Sequence, residues 1–209
     1  MHDAVIDHLI YATPDLEETR QALGSRLGFD LTPGGPHVGL GTRNFLLPLQ
    51  DSTYLELIGP DPEQTDFAGT RPYGIDHLAE PRLVGWAIRV DDIDKAIDEA
   101  RDRGYDPGPA RSMSRRRPDG MLLTWRLTSV PGGKPPILIP FLIDWGDAPH
   151  PSTTPGPRAE LRDFRIETPS PETVRQVLEA LGVTVAVDQG QTPRLSVSIA
   201  GLSGEVHLG

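Results

Sequence analysis

His8 and Glu56 are the two side chains whose types and settings best suit chemistry. His8 stands in the apolar run Ile6-Asp7-His8-Leu9-Ile10-Tyr11-Ala12, and Glu56 in Tyr54-Leu55-Glu56-Leu57-Ile58. Each is a lone polar group in a strand candidate. Side chains alternate along a strand, so His8 is expected to share a face with Ile6 and Ile10, and Glu56 with Tyr54 and Ile58. A carboxylate in a buried strand needs a cation, hydrogen-bond donors or a raised pKa. Set side by side, an imidazole and a carboxylate can move a proton or ligate a divalent ion. The catalytic candidates are therefore Glu56 and His8.

Other residues can complete such a site. His37 lies in a glycine-rich loop between two strand candidates and Asn44 starts the next strand, so both are substrate-binding candidates. His150 sits in a proline-rich stretch and either reaches back or stays tethered in solvent. If it reaches back, His8, Glu56 and His150 form a metal set, and His37 adds a further donor suited to Zn, Fe, Mn or Ni. Trp125 and Arg126 point to opposite faces of the strand candidate Met121–Val130, so only one can face the pair. A tryptophan there would pack a hydrophobic substrate, whereas an arginine would hold a carboxylate. The cationic run Arg111–Arg117 is either a solvated loop or a flap, Arg117 included, over an anionic substrate.

The elements that must position these groups recur along the chain. Val5–Ala12 is strand-like, a helix follows Pro14 and ends near Leu27, and Phe29–Thr32, Asn44–Pro48 and Tyr54–Ile58 are strand candidates. Gly34-Gly35-Pro36 and Gln50-Asp51-Ser52 are the expected turns. A second unit repeats the order with Leu83–Val90, the helix Ile93–Arg103 capped by Asp91-Asp92, and the strands Met121–Val130 and Ile137–Trp145. A third, shorter version has Leu161–Glu167, the helix Pro171–Leu181, and strands at Val183–Val187, Arg194–Ala200 and Glu205–Leu208. The expected organisation is residues 1–80, residues 81–146, a Pro-rich linker at 147–160, and a third module at 161–209. The fold class is α+β, with repeated βαβββ modules forming a cupped mixed sheet and helices on its outer face.

Composition narrows the function classes. The 209 residues carry a formal charge of −10, which argues against nucleic-acid binding over the whole surface. There are no cysteines, so disulfides, thiolate zinc sites and cysteine nucleophiles are ruled out. No apolar run approaches the roughly 20 residues that span a membrane, and Met1-His2-Asp3-Ala4 lacks the features of a signal peptide. A cytoplasmic protein without membrane or nucleic-acid partners is expected. No phosphate-binding fingerprint, nucleophile elbow or Walker motif appears.

The opening Ile6–Ala12 segment, Gly34–Asn44, Tyr54–Ile58 and Pro140-Phe141-Leu142-Ile143-Asp144-Trp145 together resemble the glyoxalase-like domain family of the vicinal oxygen chelate superfamily. The resemblance implies paired βαβββ modules whose concave sheet holds a divalent metal, with a His from the first strand and a Glu from the last strand of each module. His8 and Glu56 match the first module's positions. Aligning the helix starts puts Gly85 opposite His8 and Phe141 opposite Glu56, so half of the usual ligand set is missing. The activity that the resemblance implies is that of a glyoxalase-like lyase, isomerase or dioxygenase with one divalent metal (Zn, Fe, Mn or Ni). The alternative is a non-catalytic small-molecule binding protein of the bleomycin-resistance type. A monomer or a homodimer is compatible with either.

Overall fold

The computed structural model describes residues 4–116, 120–129, 137–153 and 156–209. The first unit runs β1 (Val5–Ala12), α1 (Leu16–Leu27), β2 (Thr32–His37), β3 (Thr42–Pro48) and β4 (Tyr54–Pro60). The second runs β5 (Arg82–Arg89), α2 (Ile93–Asp102), β6 (Ala110–Arg116), β7 (Leu122–Thr128) and β8 (Phe141–Asp144). The third runs β9 (Glu160–Thr168), α3 (Pro171–Ala180), β10 (Ala186–Gln189), β11 (Arg194–Ala200) and β12 (Glu205–Leu208).

Local chemistry sets these elements. The Asp15 carboxylate accepts the Glu18 N–H and caps α1, and Glu17 and Glu18 sit at its positive end. Gly28 closes the helix at φ 75°, a left-handed conformation that glycine takes without a Cβ penalty. Asp92 caps α2 in the same way through the Lys95 N–H. Asp51 and Ser52, at φ 55° and 58°, make the tight hairpin between β3 and β4.

The first two units share one sheet of eight strands, ordered β2-β3-β4-β1-β5-β8-β7-β6. β1 pairs with β5 antiparallel at the centre, and each unit repeats the same order outward. The sheet curls until its edges meet: Arg115 on β6 donates to Asn44 Oδ1 on β3 at 2.8 Å. A Cβ on Gly34 of β2 would lie 2.0 Å from Asn44 Oδ1 and 2.4 Å from Arg115 Nη1, so close approach at this seam needs glycine.

Both edge strands depart from the sequence expectation. Gly34-Gly35-Pro36 lies inside β2 and is no turn; an edge strand tolerates proline and the bulge between Pro33 and Gly35. The cationic run is no loop flap either, since Arg111–Arg116 belong to β6, the opposite edge, where charge is tolerated.

The convex face carries the main core. Leu9, Tyr11, Leu55, Leu57, Trp86 and Leu142 pack there with Leu23 and Leu27 of α1, Ile93 and Ile97 of α2, and residues of the third unit. Trp86 is fully buried, donates to the Leu138 carbonyl at 3.0 Å and meets Phe164 edge-on at 5.1 Å. The third unit has the expected element order, yet its four-stranded sheet runs β10-β9-β11-β12, with β9 and β10 adjacent and parallel. It braces the outer side, leaving the concave face of the large sheet to form a cup.

Candidate functional site

A bulge in β1 organises the site. The pairing with β5 shifts between Ile6 and His8, so Asp7 and His8 do not alternate cleanly across the sheet. Ile6 consequently packs with the convex core rather than beside His8, correcting the face assignment made from simple alternation. Asp7 is buried completely, and its Oδ1 accepts from His8 Nδ1 at 2.6 Å. Its Oδ2 accepts from His150 Nε2 at 2.7 Å and from Trp145 Nε1 at 3.1 Å, with Arg89 Nη1 3.8 Å away. Burial alone would raise the Asp7 pKa, but the hydrogen bonds and charges of His150 and His8 outweigh it and hold the carboxyl well below its usual range.

That ionised acceptor fixes both imidazoles. His8 donates through Nδ1, which turns Nε2 toward the cup. His150 Nδ1 accepts from the Ser152 backbone N–H at 3.2 Å and the Ser152 hydroxyl at 2.7 Å, so its proton sits on Nε2, facing Asp7. Tyr54 stacks on His8 at 4.7 Å, and Phe141 meets it edge-on at 5.6 Å.

Glu56 projects from β4 into the same cavity of about 140 Å³. Asn44 Nδ2 donates to its Oε1 at 2.5 Å, and Arg115 polarises that amide from behind. His37 Nε2 lies 3.6 Å from Oε1 and His8 Nε2 lies 3.8 Å from Oε2. Among the described residues no hydrogen-bond donor reaches Oε2. His37 is oriented by Thr42 Oγ1 at 3.0 Å from its Nδ1. Burial pushes the His37 pKa down despite the opposing Glu56 charge, which keeps the ring neutral. Around this polar centre the walls are largely apolar, formed by Tyr54, Tyr73, Trp125, Phe141 and Trp145.

Of the residues expected from sequence, His8, Glu56, His37, Asn44 and Trp125 thus line one cavity. His150 does not, because both of its ring nitrogens are engaged with Asp7 and Ser152. This corrects the proposed metal set of His8, Glu56 and His150. Arg126 faces outward and forms a two-pronged pair with Asp94, which corrects its place as a substrate-binding residue and leaves Trp125 as the inward member. Arg117 lies outside the described residues. Sequence reasoning missed Asp7 and Tyr73, and held Arg115 only as one member of the cationic run, without singling it out as the arginine that lines the cavity. The signal for Asp7 was its adjacency to His8, masked by the assumption of regular alternation.

The two modules are related by a pseudo-twofold axis that tests the ligand count. Matching the capping residues Asp15 of α1 and Asp92 of α2 maps position 8 onto 85 and 10 onto 87, in agreement with the pairing of His8 with Ala87 and Ile10 with Gly85. Glu56 pairs with Ile10 and Phe141 with Ala87, so position 56 maps onto 141. Gly85 and Phe141 offer no side-chain donor. Among the described residues, no group of three or more His, Asp or Glu side chains is arranged to share a metal ion. The donor set therefore does not match the four-ligand centre implied by the fold.

A family model described as a glyoxalase-like domain matches residues 6–182. The chain belongs to the glyoxalase-like domain family. That family places it in the vicinal oxygen chelate superfamily, as a small-molecule enzyme or binding protein. Among solved structures, a hypothetical protein from Staphylococcus aureus shares the fold over 98% of both chains, at 13% identity and a TM-score of 0.66. Methylmalonyl-CoA epimerase from Mycobacterium tuberculosis is similar over 69% of this chain and 88% of its own, at 22% identity and a TM-score of 0.42. A Streptomyces coelicolor methylmalonyl-CoA epimerase in complex with 2-nitronate-propionyl-CoA aligns over 70% of this chain and 98% of its own, at 21% identity and a TM-score of 0.43. No curated protein matches the sequence. No helix among the described residues is long and apolar enough to cross a membrane.

Proposed function

We propose that the cup is the active site of a small-molecule enzyme that removes and returns a proton next to a carbonyl group. The observation that carries this reading is Glu56. Its Oε2 opens into a mostly apolar cavity without a donor among the described residues, while Asn44 holds Oε1. A carboxylate fixed at one oxygen and open at the other is a positioned base. In the step envisaged, the substrate C–H bond breaks and its proton goes to Oε2. The electron pair moves onto the carbonyl oxygen to give an enolate. Delivery of a proton to the neighbouring carbon completes an isomerisation, and delivery to the opposite face of the same carbon completes an epimerisation.

His8 supports that step through Nε2, 3.8 Å from Oε2, with its tautomer set by Asp7. The aromatic walls suit a compact substrate with an apolar or aromatic body, and Arg115 brings positive charge to the cavity wall. The test is proton exchange in D2O, followed by 1H NMR, with a methylglyoxal–thiol adduct, phenylpyruvate and a 2-methylacyl thioester. Loss of the α-proton signal from at least one probe is expected. The second reading, sequestration without turnover, draws on the missing donors at Gly85 and Phe141. It predicts binding of a probe with no exchange in any.

A further inference from the structure

We propose that the Tyr73 hydroxyl is the donor that holds the substrate's carbonyl oxygen, standing in space that the second module's own ligand would otherwise occupy. This deepens the proton-transfer reading and rests on it. Tyr73 lies in the turn Pro72–His77 between the two modules, at φ 60° and ψ 12°. Left-handed backbone is unusual for a bulky aromatic residue, and such outliers cluster where a side chain must be aimed. Gly74 continues the same conformation at φ 69°.

The side chain is aimed at the vacant half of the cup. A Cβ built on Gly85 would lie 3.9 Å from Tyr73 Cε1 and 3.7 Å from Ile10 Cδ1, ordinary contacts for a methyl group. A longer side chain at position 85 would run into the ring. Ile10, Ala12, Ile58, Ile75 and Val84 pack together and hold that ring in place. Tyr73 lines the cavity with Glu56, and among the described residues its hydroxyl has no hydrogen-bond partner. Burial and the negative charge of Glu56 raise its pKa, so it stays an O–H donor at neutral pH. The two modules would then divide the work. Glu56 from the first receives the proton, while the phenol over Gly85 of the second meets the oxygen on which charge develops.

Tyr73→Phe keeps the ring and its packing and removes only the donor. In the D2O exchange assay with phenylpyruvate, it is expected to lower kcat about 100-fold, the scale of losing one oxyanion donor, with a smaller change in KM. A second readout does not depend on turnover. The chain has four tyrosines, so protein made with 3-fluorotyrosine gives four 19F signals, and Tyr73→Phe assigns one. On adding phenylpyruvate the Tyr73 signal should move while those of Tyr11 and Tyr105 stay. Exchange that is normal in Tyr73→Phe would overturn the inference and leave the Glu56 reading intact. A moving Tyr73 signal with no exchange in the parent would support the contact to oxygen while removing the proton-transfer step. No movement of the Tyr73 signal under saturating ligand, or movement of Tyr54 alone, would overturn it.

Discussion

Replacing Asp7 with asparagine removes the charge beneath the site without changing its shape. Asp7 is fully buried and accepts three hydrogen bonds, from His8, His150 and Trp145. Hydrogen bonds to a charged group contribute about 1.5–3 kcal/mol each. Asparagine keeps one acceptor oxygen but turns an N–H₂ toward donors already pointing inward. Breaking such a buried charged cluster from one side costs about 3–5 kcal/mol. For a chain of this size that corresponds to a fall of about 10 °C in Tm. The pH dependence has a definite sign. The folded pKa of Asp7 is depressed, so its stabilisation is present above the unfolded value near 3.9 and fades as pH falls toward the folded value. Urea denaturation followed by tryptophan emission at pH 7.5, 5 and about 3 should therefore show the largest gap between parent and Asp7→Asn at pH 7.5 and 5, narrowing below about pH 4. A gap under about 0.5 kcal/mol at pH 7.5, small enough to be an ordinary surface effect, or one that widens on acidification, would refute the assignment of Asp7 as the ionised anchor of His8 and His150.

Other substitutions probe separate parts of the account. Gly34→Ala would push a methyl group into the Asn44–Arg115 contact and should open the seam of the cup. It is expected to weaken probe binding, measured by tryptophan fluorescence, more than it lowers Tm. Gly85→Ala should be tolerated within about 1 kcal/mol in urea melts because its Cβ meets only ordinary contacts. Gly28→Ala should cost about 1 kcal/mol or more, since the position is left-handed and the new Cβ would lie 2.4 Å from Ser203 Oγ. Arg126→Ala removes an exposed pair with Asp94, so stability should change by less than about 1 kcal/mol and the exchange rate by nothing measurable.

How far the fold and the site could be seen in the sequence has a physical cause at each element. The central strands β1, β4 and β5 are apolar on both faces, and their helices carry capping aspartates, so their order and rough limits were legible. The edge strands β2 and β6 were not. One holds two prolines and two glycines and the other is rich in arginine and serine, the very composition that edges tolerate and that sequence patterns assign to loops. His8 and Glu56 were found because each is a lone polar group in an apolar strand. Asp7 was missed because a bulge breaks the two-residue period that alternation assumes. Tyr73 carried no periodic signal at all, since a turn places it.

Proton transfer in the cup depends most directly on Glu56, and one paired measurement on Glu56→Gln tests it. Affinity for the probe that exchanges best is read from tryptophan quenching, and the α-proton exchange rate from 1H NMR on the same sample. Glutamine preserves size and can still face Asn44, so binding should stay within about threefold while exchange falls by about 100-fold or more. Exchange that survives the substitution undiminished would contradict Glu56 as the group that moves the proton.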